Sequence, residues 1–220
     1  DGITRNQSPL SINANDDVKN VVSWDNEKYL NVWIVHSVFS SSSGGIVAGY
    51  AYLPQPNQDG EHDGILIGHN YVGSIGTSST GRTLTHEVGH YLGLRHTWGD
   101  AIAFLGDDGC TVDDGISDTP NQESASQFVC NLNINSCTDS STDYPDMVEN
   151  YMDYSNDACM NMFTNIQIDV MRAVLEIARP GLIEGSEYNC LYGDLNLDLS
   201  INVLDIIIAV NIILGTEILN

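Results

Sequence analysis

The sequence is short of positive charge. Its 220 residues hold 7 Lys and Arg against 30 Asp and Glu, a formal net charge of -23. Phosphate contacts need clustered basic side chains, so this balance argues against nucleic acid as a partner. It argues equally against docking on anionic lipid. Long apolar runs are missing too. The most apolar segment, 203–214, is too short to span a bilayer and is interrupted by Asp205 and Asn211. No CxxC pair occurs, which argues against a cysteine-ligated zinc site. The chain starts at Asp1 with neither an initiator Met nor a signal peptide, as expected of a processed product or an excised fragment. A solvated acidic surface accounts for most of the charge and suits a secreted protein.

The cysteines that are present point the same way. Cys110, Cys130, Cys137 and Cys159 fall in a stretch rich in Asp, Ser, Thr and Asn, and Cys190 stands apart. Polar loops of this kind are commonly held by disulfides, so two bridges and an oxidising compartment are expected. Four cysteines allow three connectivities, and spacing does not choose among them.

Residues 1–20 are polar and read as irregular. Three β-rich runs follow at 29–38, 46–54 and 64–69, the second stopped by Pro54 and Pro56. A helix is predicted over 82–92, ending at Gly93, and another over 164–178, capped by Thr164 and stopped before Pro180. Between them lies a long loop, which in a compact domain is expected to be functional or braced. Strands, helix, long loop and helix together predict an α+β fold with a mixed or antiparallel sheet.

The stretch THEVGHYLGLRHTWGD (85–100) carries the chemistry. His86 and His90 are four apart, which puts both imidazoles on one helix face. Glu87 follows the first of them and can handle the proton of a water between them. Gly93 can take the left-handed conformation that ends a helix, so the chain can turn and bring back His96. Three imidazoles leave a fourth position open, the mark of a catalytic rather than a structural zinc site. An amphipathic helix with surface histidines would explain neither the Glu nor the Gly. His36, His62 and His69 have no partner spacing and read as ordinary strand or loop residues.

HEVGHYLGLRH carries the long zinc signature of the metzincin metalloproteases. NYMDYSNDACMNMFTNIQ (150–167) resembles the Met-turn region of the pappalysin family. GRTLTHEVGH (81–90), LRHTWGD (94–100), DDGISDTP (113–120) and YLNVWIV (29–35) match that family in order and spacing. The resemblance implies a metzincin-like catalytic domain over 1–182, with a twisted mixed sheet, an active-site helix, a Met-turn and a C-terminal helix. It implies one catalytic Zn²⁺ on His86, His90 and His96, with Glu87 as general base. Met152 would form an apolar floor under the ligands, and Tyr154 would sit near the metal and steady the tetrahedral intermediate. The implied disulfides are Cys110 with Cys137 and Cys130 with Cys159. The family's leading strand, helix and strand have no counterpart here, so an N-terminally incomplete domain is expected. Relatives that favour Arg or Lys after the scissile bond carry acidic groups in the pocket beyond the Met-turn; here Ala158 directly precedes Cys159 and Asp157 lies one step earlier, so a basic preference is an expectation.

DDGCTVDDGISDTP (107–120) packs aspartates densely enough to repel one another unless a cation intervenes. The resemblance supports structural Ca²⁺ there, with Asp113, Asp114, Asp118 and Thr119 as candidate ligands; the plainer reading is a solvated acidic loop. After a linker at 183–191, residues 192–220 form a separate unit. Asp194, Asn196, Asp198, Asn202 and Asp205 stand at positions 1, 3, 5, 9 and 12 of an EF-hand-like loop running into an apolar helix. It resembles one repeat of a type I dockerin, with Leu199 in place of the usual turn glycine. That implies Ca²⁺ and a cohesin-like partner. The expectation overall is a secreted, monomeric zinc endopeptidase acting on protein or peptide substrates. The alternative is a non-catalytic calcium-dependent anchoring module or an inactive protease fragment.

Overall fold

A computed structural model of the chain describes residues 2–40, 45–54, 63–73, 80–101, 107–138 and 143–183. The chain divides into two units, Asp1–Leu182 and Ile183–Asn220, and the account below is of the first. His62, Cys190 and the calcium-loop residues Asp194, Asn196, Asp198, Asn202 and Asp205 lie outside the described residues.

Strands β1 (Val32–Val35), β2 (Gly49–Ala51) and β3 (Ile65–Gly68) form a mixed sheet in the order β1-β3-β2. β1 runs parallel to β3 with Val32 opposite Ile65, and β2 runs antiparallel with Tyr50 opposite Leu66. The central strand β3 is buried throughout, which is why it reads as an unbroken apolar run. In β1 the side chains alternate: Trp33 and Val35 are buried, Val32 and Ile34 exposed.

One sheet face is covered by the N-terminal segment. Ala14, Val18 and Val38 pack on Trp33, Val35 and Leu66. Residues expected to be irregular here form two 3-10 turns, Pro9–Ser11 and Asp16–Val21, capped by the side chains of Ser8 and Asn15. Lys19 is completely buried, with its ammonium 5.0–5.3 Å from the ring centres of Trp33, Tyr50 and Tyr52. Its charge is met by Asp16 at 2.8 Å, which also accepts the hydroxyls of Tyr50 and Tyr52. A buried cation is tolerable only with such pairing.

The other face carries helix α1 (Arg82–Tyr91), whose Leu84, Val88 and Tyr91 pack on Ile65 and Ile67. The helix ends in a Schellman motif: the Leu94 N–H donates to the Gly89 carbonyl and the Gly93 N–H to that of His90, both at 2.9 Å. Gly93 has φ +92, and a Cβ there would press on Val174 of the second helix. Helix α2 (Asn165–Ala178) starts with a capping box between Thr164 and Gln167. Its far end is tied to α1. The Arg179 guanidinium lies 3.6 Å over the Tyr91 ring, donates to the Tyr91 carbonyl and pairs with Asp63.

Between the helices the described residues form neither helix nor strand. The disulfides Cys110–Cys137 and Cys130–Cys159 hold this segment. The sheet strands are shorter than the sequence predicts. Asn31 turns its side chain to the Trp24 backbone, and Val38 leaves the sheet to bridge Ala14, so β1 is confined to four residues. No described helix is long and apolar enough to cross a membrane.

Candidate metal centre

Helix α1 puts His86 and His90 one turn apart on one face, and the Gly93 turn returns the chain so that His96 faces both. Nε2 of His90 lies 3.0 Å from Nε2 of His86 and 3.0 Å from Nε2 of His96. Each Nδ1 meets an acceptor: the Tyr151 carbonyl at 2.6 Å for His86, the Leu94 carbonyl at 2.8 Å for His90, and the Asp100 carboxylate for His96. Those acceptors keep a proton on every Nδ1 and leave every Nε2 as a lone pair. Three lone pairs this close repel unless a cation lies among them. The donor set therefore fits a divalent metal such as zinc, bound by imidazole nitrogen at ~2.0–2.1 Å. Among the described residues this is the one set of three or more His, Cys, Asp or Glu whose ligand atoms converge.

The protonation of His86 and His90 agrees. Burial, with His90 and His96 adding to it, holds the His86 imidazole well below its ordinary range. Burial and then His96 push His90 down to about 4. Neutral imidazoles are the form a metal requires. The Asp100 carboxyl is held below its usual value, chiefly by its hydrogen bond to His96.

Glu87 is buried beside the ligands. One carboxylate oxygen takes the Ala51 N–H of β2, and Oε2 has no partner among the described residues. Burial outweighs that bond and raises the carboxyl to about 8. A divalent cation in the centre would draw it back down.

Met152 is fully buried and packs against α1 at Gly89. A Cβ at position 89 would collide with the Met152 sulfur, so glycine between the two ligands is what admits the methionine. Asn150 accepts the Met152 N–H at 2.9 Å and bonds Gln167 of α2, which fixes the turn to the helix cap. Tyr154 stands two residues on. Its ring centre lies 4.8 Å from that of His96 and 5.4 Å from that of His86. Burial, then the charges of Glu87 and Asp100, push its phenol up to about 12, so it keeps its proton as a donor.

Other predicted site residues lie apart from the triad. Asp113 Oδ1 accepts the Gly115 N–H, and Asp114 accepts the Ile116 N–H and the Thr119 hydroxyl. Burial, with Asp113 adding to it, raises Asp114 to about 7. Asp118 Oδ2 caps α2 through the Ile166 N–H, and its Oδ1 is buried without a partner among the described residues. Asp157 Oδ2 accepts the N–H and hydroxyl of Thr80, just ahead of α1. His36 and His69 stack on each other with ring centres 5.3 Å apart.

Sequence reasoning missed four contributors. Asp100 orients His96, and Trp98 stacks on it at 4.2 Å. Gln122 and Asp153, both fully buried, join the His96 loop to the Met152 turn. The Thr97 hydroxyl donates to Gln122, and Gln122 donates to Asp153 at 3.0 Å. A carboxylate four residues after a ligand histidine was a readable signal for Asp100. Nothing local marks Gln122.

Comparison with known proteins places this geometry. The family model Peptidase_M43, described as pregnancy-associated plasma protein-A, matches residues 13–176. An extracellular metalloprotease of Colletotrichum graminicola is 40% identical over 125 residues, covering 54% of this chain and 42% of that protein. One from Arthroderma gypseum is 39% identical over 129 residues, covering 56% and 41%. The chain thus spans less than half the length of these curated relatives. Among solved structures, mature mirolysin of Tannerella forsythia in complex with a cleaved peptide superposes with a TM-score of 0.63 and 35% identity, over 76% of this chain and 62% of that one. With the family model matched over most of its length, the chain belongs to the pregnancy-associated plasma protein-A family of peptidases, M43.

Proposed function

We propose that this chain carries the catalytic site of an extracellular zinc endopeptidase. The convergence of three Nε2 lone pairs beside the unpartnered Glu87 oxygen supports it most directly. A zinc ion held there would supply Lewis acidity to the scissile carbonyl and to the attacking water.

The remaining work falls to the chain. His86, His90 and His96 hold the ion, and the Tyr151 and Leu94 carbonyls and Asp100 hold the rings. Glu87 takes the proton of the attacking water on its free oxygen and passes it to the leaving amine. The Ala51 N–H keeps the carboxylate aimed and ties it to β2. That strand pairs only with β3 among the described residues, so its outer edge can take an extended substrate by strand addition. Tyr154, protonated, donates to the oxygen where charge develops. Met152 closes the floor beneath the rings. Asp157 favours a basic residue after the scissile bond; Asp157→Ala removes that preference from the cleavage profile, and an unchanged profile contradicts the role.

Two calcium sites complete the reading. Asp113, Asp114, Asp118 and Thr119 bind one ion and steady the loop that caps α2. Asp194, Asn196, Asp198, Asn202 and Asp205 bind a second in a dockerin-like tail that docks a cohesin-like partner. Calcium-dependent pull-down through residues 190–220 tests the tail. The enzyme reading is tested by casein cleavage. A chelator abolishes it and one equivalent of Zn²⁺ restores it; cleavage that survives metal removal contradicts the proposal.

A further inference from the structure

Residues 124–130 form a loop that stability alone does not account for. Gln127 and Phe128 have φ of +50 and +64, two successive non-glycine residues in the left-handed region. Such strain persists only where the surroundings impose it, and it concentrates at ligand-binding sites. Here four ties impose it. The Ser126 N–H donates to buried Asp153 at 3.1 Å, and the Val129 N–H to the Ser126 carbonyl at 3.1 Å. The Phe128 N–H donates to the Tyr154 carbonyl at 2.7 Å, and Cys130 is bridged to Cys159. Two of the three anchors on the far side, Asp153 and Tyr154, are the two residues after Met152, and the third is Cys159.

The strain does not serve to bury the side chain. Phe128 is 75% exposed and Val129 49%. A large aromatic left in water contributes almost nothing to the core. The same backbone would be relaxed with glycine or asparagine at these positions. The loop therefore holds an apolar ring in solvent, its backbone fastened to the carbonyl of the partly exposed Tyr154. The backbone bond from Phe128 to Tyr154 sets this exposed ring beside a residue whose own ring lies 4.8 Å from that of His96, and exposed apolar side chains beside a reaction site are candidates for binding.

We propose that Phe128 walls a subsite of the peptidase, selecting an aliphatic or aromatic substrate side chain within two positions of the scissile bond. This rests on the endopeptidase reading above. The contact is apolar and on the substrate's side chain, so Phe128 acts on selectivity and takes no part in proton transfer.

The test profiles cleavage sites in a peptide library with the zinc-loaded full chain, Phe128→Ala and Phe128→Asp, against Glu87→Ala as the blank. Wild type enriches Leu, Ile, Phe or Tyr at one such position. Phe128→Ala lowers that enrichment at least fivefold at that position alone, and Phe128→Asp replaces it with Lys and Arg. Phe128→Gly loses the enrichment while its melting temperature does not fall, which separates selectivity from folding. Identical profiles, or a wild type with no such enrichment, overturn the proposal. If wild type cleaves no better than the blank, the endopeptidase reading fails and binding decides the subsite. A fluorescent peptide with leucine at both positions on each side of its central bond then binds wild type at least fivefold more tightly than Phe128→Ala, or the subsite is contradicted as well.

Discussion

Nδ1 of His86 lies 2.6 Å from the carbonyl oxygen of Tyr151, the residue ahead of Met152. The first metal ligand and the methionine turn thus share one hydrogen bond, although 65 positions separate the partners. The turn sets the ring's tautomer, and the ring's helix offers Gly89 to the turn's methionine.

Gly89→Ala tests that fit. The new methyl meets the Met152 sulfur inside a packed contact, so overpacking costs on the order of 1–3 kcal/mol. The expected outcome is a lower melting temperature together with weaker zinc binding in chelator competition. An unchanged affinity would mean that the turn does not hold the ligands.

Asp100→Asn tests the support of the third ligand. A group that holds the outer nitrogen of a ligand histidine is worth about 10–100-fold in metal affinity. Zinc dissociation measured against a fluorescent chelator is expected to rise by that factor, with little change in the melting temperature of the metal-free chain. Asp100 is half exposed on the protein's surface, so a general collapse would not be its effect.

Gln122→Leu breaks the buried link between Thr97 and Asp153. It strands the Thr97 hydroxyl and leaves Asp153 Oδ1 with the Ser126 N–H alone, while Oδ2 already has no partner among the described residues. Each stranded buried group costs about 1–3 kcal/mol. Urea unfolding should show a loss of this size with an unchanged m-value, and kcat should fall more than KM rises.

Asp16 supplies a pH signature away from the metal. Burial raises its carboxyl, but the bonds from Lys19, Tyr52 and Tyr50 together outweigh burial and leave it below the ordinary 3.8. A carboxyl depressed in the folded state contributes stability that is full above its unfolded value and is lost as pH falls through the folded one. The melting-temperature gap between wild type and Asp16→Asn is therefore constant above about pH 5 and closes as the pH falls below 3.8. A gap that persists at the lowest pH would assign the effect to packing.

The helices were legible almost to the residue because their ends are local. Gly93 closes α1, and Thr164 with Gln167 opens α2, each within a few positions of sequence. The strands were over-read, 29–38 against Val32–Val35, because β-branched composition does not reveal which residues find a partner. The histidine spacing carried the metal centre, since a helix turn and a hinge glycine fix its geometry. Gln122, Asp153 and the Ala51 N–H were invisible for the opposite reason. Their partners lie 25 to 36 positions away across irregular backbone, and no period or motif links them. The disulfide pairing came from family resemblance, where spacing alone left three connectivities.

The most direct measurement is the rate of peptide hydrolysis by Glu87→Ala against wild type, each loaded with one zinc. Loss of a general base costs about 10²–10⁴-fold. A fall of that size with zinc content unchanged is the predicted result. Equal rates at equal zinc would contradict the assignment of Glu87, and with it the account of how this site works.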